Sequence, residues 1–280
     1  YALNFSPNDE ILVPASTFHA SIGPIKNLNC VPIFVDIDKD TLTIDCGDLE
    51  KKINHKSKGI LIVHPWGYPC NMDEIIKITK KNNLKLIEDC SHAHGATYDN
   101  KKVGSYGDIS CFSLQGGKSI AAGEGGISLT DNQKYFLRMS IYGHFDRHRE
   151  SLIENNEFKK FHKTGISKKL RAHPLGISIA KVDFDNLLQM NKYKQDIYEK
   201  IDHLLKNNQI IKTLKLNQNS IRGGFFGGYP LIINELKNIE KVKKIFKNNR
   251  LQLMDYPWLL HHKMPIYNTN ECQLSSTENI

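Results

Sequence analysis

A single lysine, Lys118, lies in the glycine-rich segment FSLQGGKSIAAGEGG (residues 112–126), in which Glu124 is the one other charged residue. A lysine amine can attack a carbonyl carbon and form a Schiff base. It does so near neutral pH only where burial or a nearby cation lowers its pKa, which is ordinarily about 10.4. The small, uncharged neighbours of Lys118 favour such burial, although a surface lysine in a glycine turn would show the same pattern.

Two other polar residues end apolar segments that read as strands. Asp89 ends LKLIED, and Ser113 ends DISCFSL, five positions before Lys118. Reacting groups of open α/β sheets collect at the carboxyl ends of the strands. We therefore expect Asp89, Ser113 and Lys118 to face one crevice, unless Asp89 only caps the turn that follows it.

Strand and helix patterns alternate over the first 90 residues, which is typical of a parallel sheet covered by helices on both faces. The predicted strands are 10–14, 31–37, 59–64 and 84–89, and the predicted helices are 17–28, 46–53 and 72–83. Two more strands, DISCFSL and GGISLT, flank the lysine turn. A long helix over 174–207, a strand within GGFFGGYPLII and a helix over NIEKVKKIFKNN follow.

The composition narrows the function classes. With 280 residues, of which 40% are hydrophobic and 24% charged, the chain can bury a large core. No apolar stretch approaches the roughly 20 residues that a bilayer crossing needs, so we expect no membrane association. The formal net charge of +8 comes from lysines spread along helical patterns, which argues against a nucleic-acid partner. Six cysteines without a CxxC pair fit a reducing cytoplasm.

Five motifs in order resemble the DegT/DnrJ/EryC1/StrS family of sugar aminotransferases. They are EILVPASTF, VPIFVDIDKDTLTID, EDCSHAHGATY, KVGSYGDISCFSLQGGKSIAAGEGG and KLRAHPLGISIAKV, within residues 9–190. The resemblance implies an α/β fold of the aspartate-aminotransferase type, pyridoxal-phosphate fold type I, with a mostly parallel sheet sandwiched by helices. It also implies a large cofactor-binding domain over 1–190 and a smaller α+β domain over 191–280. We expect the N-terminal part of the first domain to be missing and the second to be incomplete.

The resemblance gives each candidate residue a role towards pyridoxal 5′-phosphate. Lys118 matches the lysine that forms the Schiff base. Asp89 matches the acid that keeps the pyridine nitrogen protonated. His92 stands where the family has a His or Gln beside the phenolic oxygen, although a structural histidine would read the same. Ser113 matches a serine that contacts the phosphate, and Phe18 matches the aromatic residue that stacks on the ring, with a core phenylalanine as the alternative.

One segment departs from the family pattern. Family members commonly carry GxNxR where the partner subunit reaches the phosphate, whereas this chain reads SKKLR at 167–171. Lys169 then stands in place of the asparagine, and Arg171 matches the arginine. Lys169 could still contact the phosphate as a point charge, and a plain basic loop would look the same. The resemblance thereby implies a homodimer with shared active sites.

The remaining histidines do not predict a metal site. His144 and His148 are four residues apart, and His261 and His262 are adjacent, but no cysteines or acids accompany them at ligand spacing. We expect these histidines at the surface or on the substrate side, and no bound metal.

The functional hypothesis is transfer of an amino group from an amino acid, glutamate by resemblance, to a keto sugar. The family's dehydratases carry histidine in place of the lysine, so Lys118 favours transamination. We expect a nucleotide-linked sugar of cell-surface polysaccharide or secondary metabolism. A cyclitol (inosose) acceptor and a cofactor-binding regulator without turnover remain alternatives. A nucleotide-binding oxidoreductase is disfavoured, because no GxGxxG follows the first strand.

Overall fold

The computed structural model of the protein describes residues 1–144, 154–161, 168–223, 228–254, 260–267 and 274–278. Strands and helices alternate in the first part of the chain. The strands, numbered along the chain, are β1 (Glu10–Pro14), β2 (Val31–Val35), β3 (Ser57–Val63), β4 (Lys85–Asp89), β5 (Thr97–Tyr98), β6 (Lys101–Lys102), β7 (Ile109–Ser113), β8 (Gly126–Leu129), β9 (Ile211–Thr213), β10 (Ser220–Ile221) and β11 (Leu231–Ile233). The α-helices are α1 (His19–Asn27), α2 (Cys46–Lys52), α3 (Met72–Lys81), α4 (Gln133–His144), α5 (Pro174–Leu205), α6 (Ile239–Asn248) and α7 (Ser275–Glu278). Single 3₁₀ turns lie at Pro65–Gly67, Lys159–Phe161, Leu236–Asn238, His261–Lys263 and Pro265–Tyr267.

The central sheet has six strands in the order β2-β1-β3-β4-β7-β8. Its pairs are parallel except for β7 with β8, which run antiparallel. Val63 lies opposite Asp89, and Asp89 lies opposite Cys111, so β3, β4 and β7 end at nearly the same level. The expected mostly parallel α/β sheet is confirmed, and its carboxyl edge carries the candidate residues.

Alternate residues of the strands pack into two apolar layers, one on each face of the sheet, because side chains on a strand have a period of two. One layer joins the sheet to α2 and α3, and its members include Leu12, Ile60, Ile62, Leu49 and Ile75. The other joins the sheet to α1, and its members include Ile11, Val13, Leu61, Ile22 and Ile25. Helices therefore cover both faces, as the sequence predicts.

Helix α3 shows how local sequence fixes an element. The side chain of Asn71 caps its N-terminus by accepting a hydrogen bond from the Glu74 amide at 3.4 Å. Acidic residues occupy the first turn, and Lys80 and Lys81 occupy the last, so both ends complement the helix dipole. Buried Ile75 and Ile78, three positions apart, give the helix one apolar face.

Other elements differ from the sequence predictions. The first helix begins at His19 rather than at residue 17, and α4 was not predicted. Strands β5 and β6 pair antiparallel, and β10 joins them from more than 100 residues further along the chain. Helix α5 runs without interruption through the expected domain boundary at residue 190. The division into two domains stays a prediction.

The hydropathy of the helices bears on membrane association. Within the described ranges, no helix is both long enough and apolar enough to cross a bilayer.

Candidate active site

A cavity of about 2070 Å³ opens at the carboxyl ends of β1, β3, β4 and β7. The expected residues Phe18, Asp89, His92, Ser113 and Lys118 all line it. They come from three separate stretches of chain, so the sheet edge is what brings them together. The sixth expected residue, Lys169, does not line this cavity.

Asp89, the last residue of β4, is held by two hydrogen-bond donors. The Ser21 hydroxyl donates to its Oδ2 atom at 2.7 Å, and the Ser91 amide donates to its Oδ1 atom at 3.0 Å. Each carboxylate oxygen keeps a further lone pair for an acceptor role. The carboxylate is thus fixed in orientation and can still accept a hydrogen bond from a cationic N–H group in the cavity.

Lys118 lies in a turn whose backbone is closed by hydrogen bonds. Its amide donates to the Gln115 carbonyl at 2.8 Å, and the Gly116 amide donates to the Gly123 carbonyl at 2.7 Å. Burial lowers the pKa of the Lys118 amine, and the negative charge of Asp89 opposes that shift. The two side chains therefore interact electrostatically within one cavity.

Helix α5 holds the lysine loop from outside. Asp183 accepts a hydrogen bond from the Ala121 amide at 3.0 Å. The backbone of Gly176 lies so close to the loop that a Cβ atom there would stand 2.4 Å from the Ala122 carbonyl oxygen. This close approach requires glycine in the segment AHPLGISIA, and it places the first turns of α5 against the loop.

His92 presents a neutral ring to the cavity. Its Nδ1 atom accepts a hydrogen bond from the Trp66 amide at 3.2 Å. Burial lowers its pKa to about 4, and the nearby charge of Lys118 contributes to the same shift. Because Nδ1 is an acceptor, the single proton of the neutral ring lies on Nε2. His92 can therefore donate a hydrogen bond from Nε2 at physiological pH.

Ser113 and Phe18 offer different contacts to a ligand. The Ser113 hydroxyl oxygen accepts a hydrogen bond from the Gln115 amide at 3.3 Å, and its own proton is available to an acceptor. Phe18 precedes the first turn of α1 and is 53% exposed, so its ring is a wall of the cavity rather than a core side chain. A flat anionic cofactor with a ring nitrogen fits this set of groups.

The segment with Lys169 and Arg171 lies outside the cavity of its own chain. Both side chains are exposed, and Lys169 has a left-handed backbone with φ of 54°. The Leu170 amide donates to the Gly143 carbonyl, which ties the segment to the end of α4. A contact between Lys169 and the phosphate of a neighbouring copy stays a prediction.

His261 and His262 are not surface residues, since they are 1% and 2% exposed. The surface location expected for them is therefore wrong, and the alternative of a substrate-side location stays a prediction. Each can be buried because its Nε2 atom has an acceptor: the Thr17 carbonyl at 2.9 Å for His261 and the Glu278 carboxylate at 3.0 Å for His262. His148 lies outside the described residues.

Sequence reasoning missed Glu88, a completely buried carboxylate beside Asp89. It accepts hydrogen bonds from the amides of Gly104 at 2.7 Å, Tyr106 at 2.8 Å and Gly107 at 2.6 Å. Burial alone would raise the pKa of Glu88, but the hydrogen bonds from His64 and from these amides hold it below its usual value. The motif KVGSYG thus forms a loop of N–H donors around one acid.

His64, Glu88 and Cys90 are close enough to share one metal ion. Their hydrogen bonds argue for a different role. The Cys70 amide donates to Nδ1 of His64 at 3.0 Å, so Nε2 carries the proton and donates to Glu88 at 3.3 Å. Burial also raises the pKa of the Cys90 thiol, which disfavours the thiolate that binds metals. We assign no metal to this group.

Comparison with known proteins gives a family match over the whole chain and curated relatives that match part of it. The family model of the DegT/DnrJ/EryC1/StrS aminotransferase family matches residues 1–280. GDP-perosamine synthase of Escherichia coli O157:H7 is 44% identical over 137 residues, which is 49% of this chain and 38% of that protein. The dTDP-3-amino-3,6-dideoxy-alpha-D-galactopyranose transaminase of Aneurinibacillus thermoaerophilus is 37% identical over 66% of this chain and 50% of its own length. The L-glutamine:scyllo-inosose aminotransferase of Streptomyces griseus is 36% identical over 49% of this chain and 32% of its own length.

Solved structures share the fold. The aminotransferase TlmJ from Streptoalloteichus hindustanus superposes with a TM-score of 0.82 at 18% identity, covering 99% of this chain and 72% of that one. GDP-4-keto-6-deoxy-D-mannose-3-dehydratase of E. coli, solved with bound hydrated PLP, superposes with a TM-score of 0.77 at 24% identity, covering 89% of this chain and 66% of that one. The chain spans half or less of the curated relatives given above. From the match over all 280 residues, together with this shared fold, the chain belongs to the DegT/DnrJ/EryC1/StrS aminotransferase family.

Proposed function

We propose that the protein is a pyridoxal-phosphate-dependent aminotransferase that moves an amino group from an amino acid, glutamate in the simplest case, to a keto sugar. The observation that supports this most directly is the pairing of Lys118 and Asp89. A partly buried amine with a lowered pKa and a fixed carboxylate line the same cavity and interact electrostatically. This pair is what the chemistry of the cofactor needs from a protein.

The described residues can hold the cofactor at each of its polar positions. Asp89 would accept a hydrogen bond from the protonated ring nitrogen, and His92 would donate a hydrogen bond from Nε2 to the phenolic oxygen. Ser113 would donate to the phosphate, and the exposed ring of Phe18 would cover one face of the pyridine. When bound, pyridoxal phosphate supplies an electrophilic carbon and an electron sink.

Lys118 has two tasks in this proposal. Its Nζ atom holds the cofactor, and once released it accepts and returns a proton at the substrate carbon. Burial supports both tasks, because it lowers the pKa of the amine towards the pH at which the neutral form is populated. The charge of Asp89 limits that shift, so the amine can also exist as the acid that gives the proton back.

The acceptor is proposed from the relatives. GDP-perosamine synthase and the dTDP-sugar transaminase are named for nucleotide-linked amino sugars. A nucleotide-linked keto sugar of surface polysaccharide or secondary metabolism is therefore our first choice. The inosose aminotransferase supports the alternative of a cyclitol acceptor. The five free cysteines among the described residues fit the proposed cytoplasmic location.

We also propose a homodimer, which α5 supports. Several of its large apolar side chains are 59–71% exposed, namely Leu175, Ile179, Val182, Phe184 and Leu188. An apolar surface of this kind on a single chain is typical of a protein interface. A second copy covering α5 could bring its Lys169 and Arg171 segment to the neighbouring cavity. Sedimentation of the cofactor-loaded protein should give twice the chain mass, and a stable, active monomer would contradict this part of the proposal.

Replacement of Lys118 by alanine tests the central assignment. The Lys118→Ala protein should lose the yellow absorbance of lysine-bound cofactor and should transfer no amino group from glutamate to a keto sugar. Lys81→Ala is the control, since Lys81 pairs with Glu50 at the surface and does not line the cavity. A fully active Lys118→Ala protein would refute the assignment. A wild-type protein that binds cofactor but transfers nothing would instead support the regulator alternative.

A further inference from the structure

Two hydroxyl groups at the start of α1 form a directed chain that ends on Asp89. The Ser21 hydroxyl donates to Oδ2 of Asp89 at 2.7 Å, and the hydroxyl oxygens of Thr17 and Ser21 lie 3.2 Å apart. A hydroxyl has one proton, and that of Ser21 is given to Asp89. Thr17 must therefore be the donor to Ser21, so both protons point towards the carboxylate.

Both hydroxyl groups are shielded from water, since Thr17 is 1% and Ser21 is 6% exposed. A hydrogen bond to a charged group is worth more than a neutral one, and more so where little solvent competes for it. Removing the Ser21 hydroxyl would leave the Ser91 amide as the donor that holds the Asp89 side chain among the described residues. The carboxylate could then rotate about its last bond.

A distant part of the chain holds the turn that carries these hydroxyls. Nε2 of His261 lies 2.9 Å from the Thr17 carbonyl oxygen, to which it donates. The neighbouring residues Ser16 and Leu260 form an isolated antiparallel bridge. Burial lowers the pKa of His261, which keeps the ring neutral near pH 7. The turn with Phe18 and Ser21 is thus fixed from both sides.

We propose that Ser21 is a positioning residue that orients the Asp89 carboxylate towards the cofactor ring, and that His261 acts one step further out by fixing the Thr17–Ser21 turn. The proposal rests on the proposed function, because it assumes that Asp89 binds the ring nitrogen. It assigns neither residue a direct part in the chemistry.

Replacement of Ser21 gives the first test. In Ser21→Ala we expect the cofactor dissociation constant to rise about tenfold, with a shifted absorbance band of the bound cofactor. Ser21→Thr keeps the hydroxyl and should restore both readouts. Ser140→Ala is the matched control, because Ser140 is also a buried helical serine, 9% exposed, whose hydroxyl bonds the Phe136 carbonyl far from the cavity. It should change stability without changing either cofactor readout.

Replacement of His261 gives the second test. His261→Leu should weaken cofactor binding in a folded protein, and His261→Gln, which keeps an N–H donor, should recover part of it. His262→Leu is the control, because His262 is equally buried but bonds Glu278 instead of the turn. Circular dichroism establishes that each variant is folded.

The outcomes separate this proposal from the proposed function. Wild-type cofactor affinity and absorbance in Ser21→Ala would overturn the role of Ser21, and the same results in His261→Leu would overturn the role of His261. Equal effects of Ser21→Ala and Ser140→Ala would show a merely structural role and would also overturn it. The proposed function fails on a different result, namely colour and turnover in Lys118→Ala.

Discussion

Replacing Glu88 by glutamine tests whether the buried carboxylate holds the sheet at the active site. The glutamine side chain has nearly the same shape but one oxygen instead of two. Oε1 of Glu88 accepts from the Tyr106 and Gly107 amides, and Oε2 accepts from the Gly104 amide and from His64. Whichever way the new amide turns, its NH₂ group faces two donors that previously had an acceptor.

The magnitude follows from those two lost bonds. A buried donor without an acceptor costs about 1–3 kcal/mol. His64 cannot turn Nε2 into an acceptor by moving its proton to Nδ1, because Nδ1 already accepts a hydrogen bond from the Cys70 amide. We therefore expect Glu88→Gln to reduce the free energy of unfolding by about 4 kcal/mol. For a domain of this size that corresponds to a fall in Tm of roughly 10 °C.

Urea and thermal unfolding at several pH values provide the assay. Folding lowers the pKa of Glu88. The free energy of unfolding of the wild type should therefore exceed that of Glu88→Gln by the full amount at pH 7, and this difference should shrink as the pH falls below the usual 4.5. Glu50→Gln is the control, since Glu50 is an exposed partner of Lys81; it should leave stability nearly unchanged. Equal stability of wild type and Glu88→Gln at pH 7 would refute the reasoning.

Three further predictions concern the cavity and its supporting loop. In Asp89→Asn the Lys118 pKa should fall further, because burial lowers this pKa and the variant lacks the Asp89 charge that opposes the shift. An unchanged pH profile of cofactor capture would contradict this. His92→Leu, which loses the Nε2 donor, should reduce kcat by roughly 10²-fold, whereas His92→Gln should retain most activity; equal kcat values for the two variants would refute the donor role. Gly104→Ala should destabilise more than Gly123→Ala in thermal unfolding. Both glycines have positive φ, but a Cβ at 104 meets the Phe112 ring at 2.6 Å, whereas a Cβ at 123 meets no atom of the described residues within 4 Å. Equal Tm values would contradict this.

The sheet could be predicted from sequence because its signals are local. Each strand is a short apolar run next to a helical pattern, and observed and predicted ends differ by about two residues at most for β1, β3 and β4. Lys118 and Asp89 can be predicted from sequence as candidate site residues because each belongs to a contiguous motif. The carboxyl-edge rule for parallel sheets then predicts that these motifs meet.

Contacts between distant parts of the chain cannot be predicted from local sequence patterns. Ser21 lies 68 residues from Asp89, and His261 lies 244 residues from Thr17. Nothing in the local pattern of a serine on a short helix, or of two adjacent histidines, reveals which atom they meet. The apolar pattern of β8 also does not show its direction, although the length and composition of the loop before it do bear on this. A parallel partner would need a crossover, usually a helix, and the glycine-rich loop before β8 contains none.

Glu88 did carry a signal in the sequence. In the strand LKLIED, residues 86 and 88 share a face because side chains alternate, and Leu86 is a core residue. A glutamate on the core side of a central strand must find several donors, and the glycines of KVGSYG are the kind of residues that let backbone amides approach it. A glutamate at this core position therefore predicts a loop whose backbone amides surround its carboxylate.

The two adjacent acids at the end of β4 have different roles: Glu88 supports the strand, and Asp89 faces the cavity. Since neighbouring side chains on a strand point to opposite faces, Glu88 is directed into the core and Asp89 towards the cavity. The four bonds to Glu88 fix the height and twist of the strand end, and the bonds from Ser21 and Ser91 fix the rotation of the Asp89 carboxylate. A shift of the strand would move Asp89 relative to Lys118, which is held separately by its own turn and by α5. Loss of Glu88 should therefore weaken cofactor binding even at temperatures where the variant remains folded.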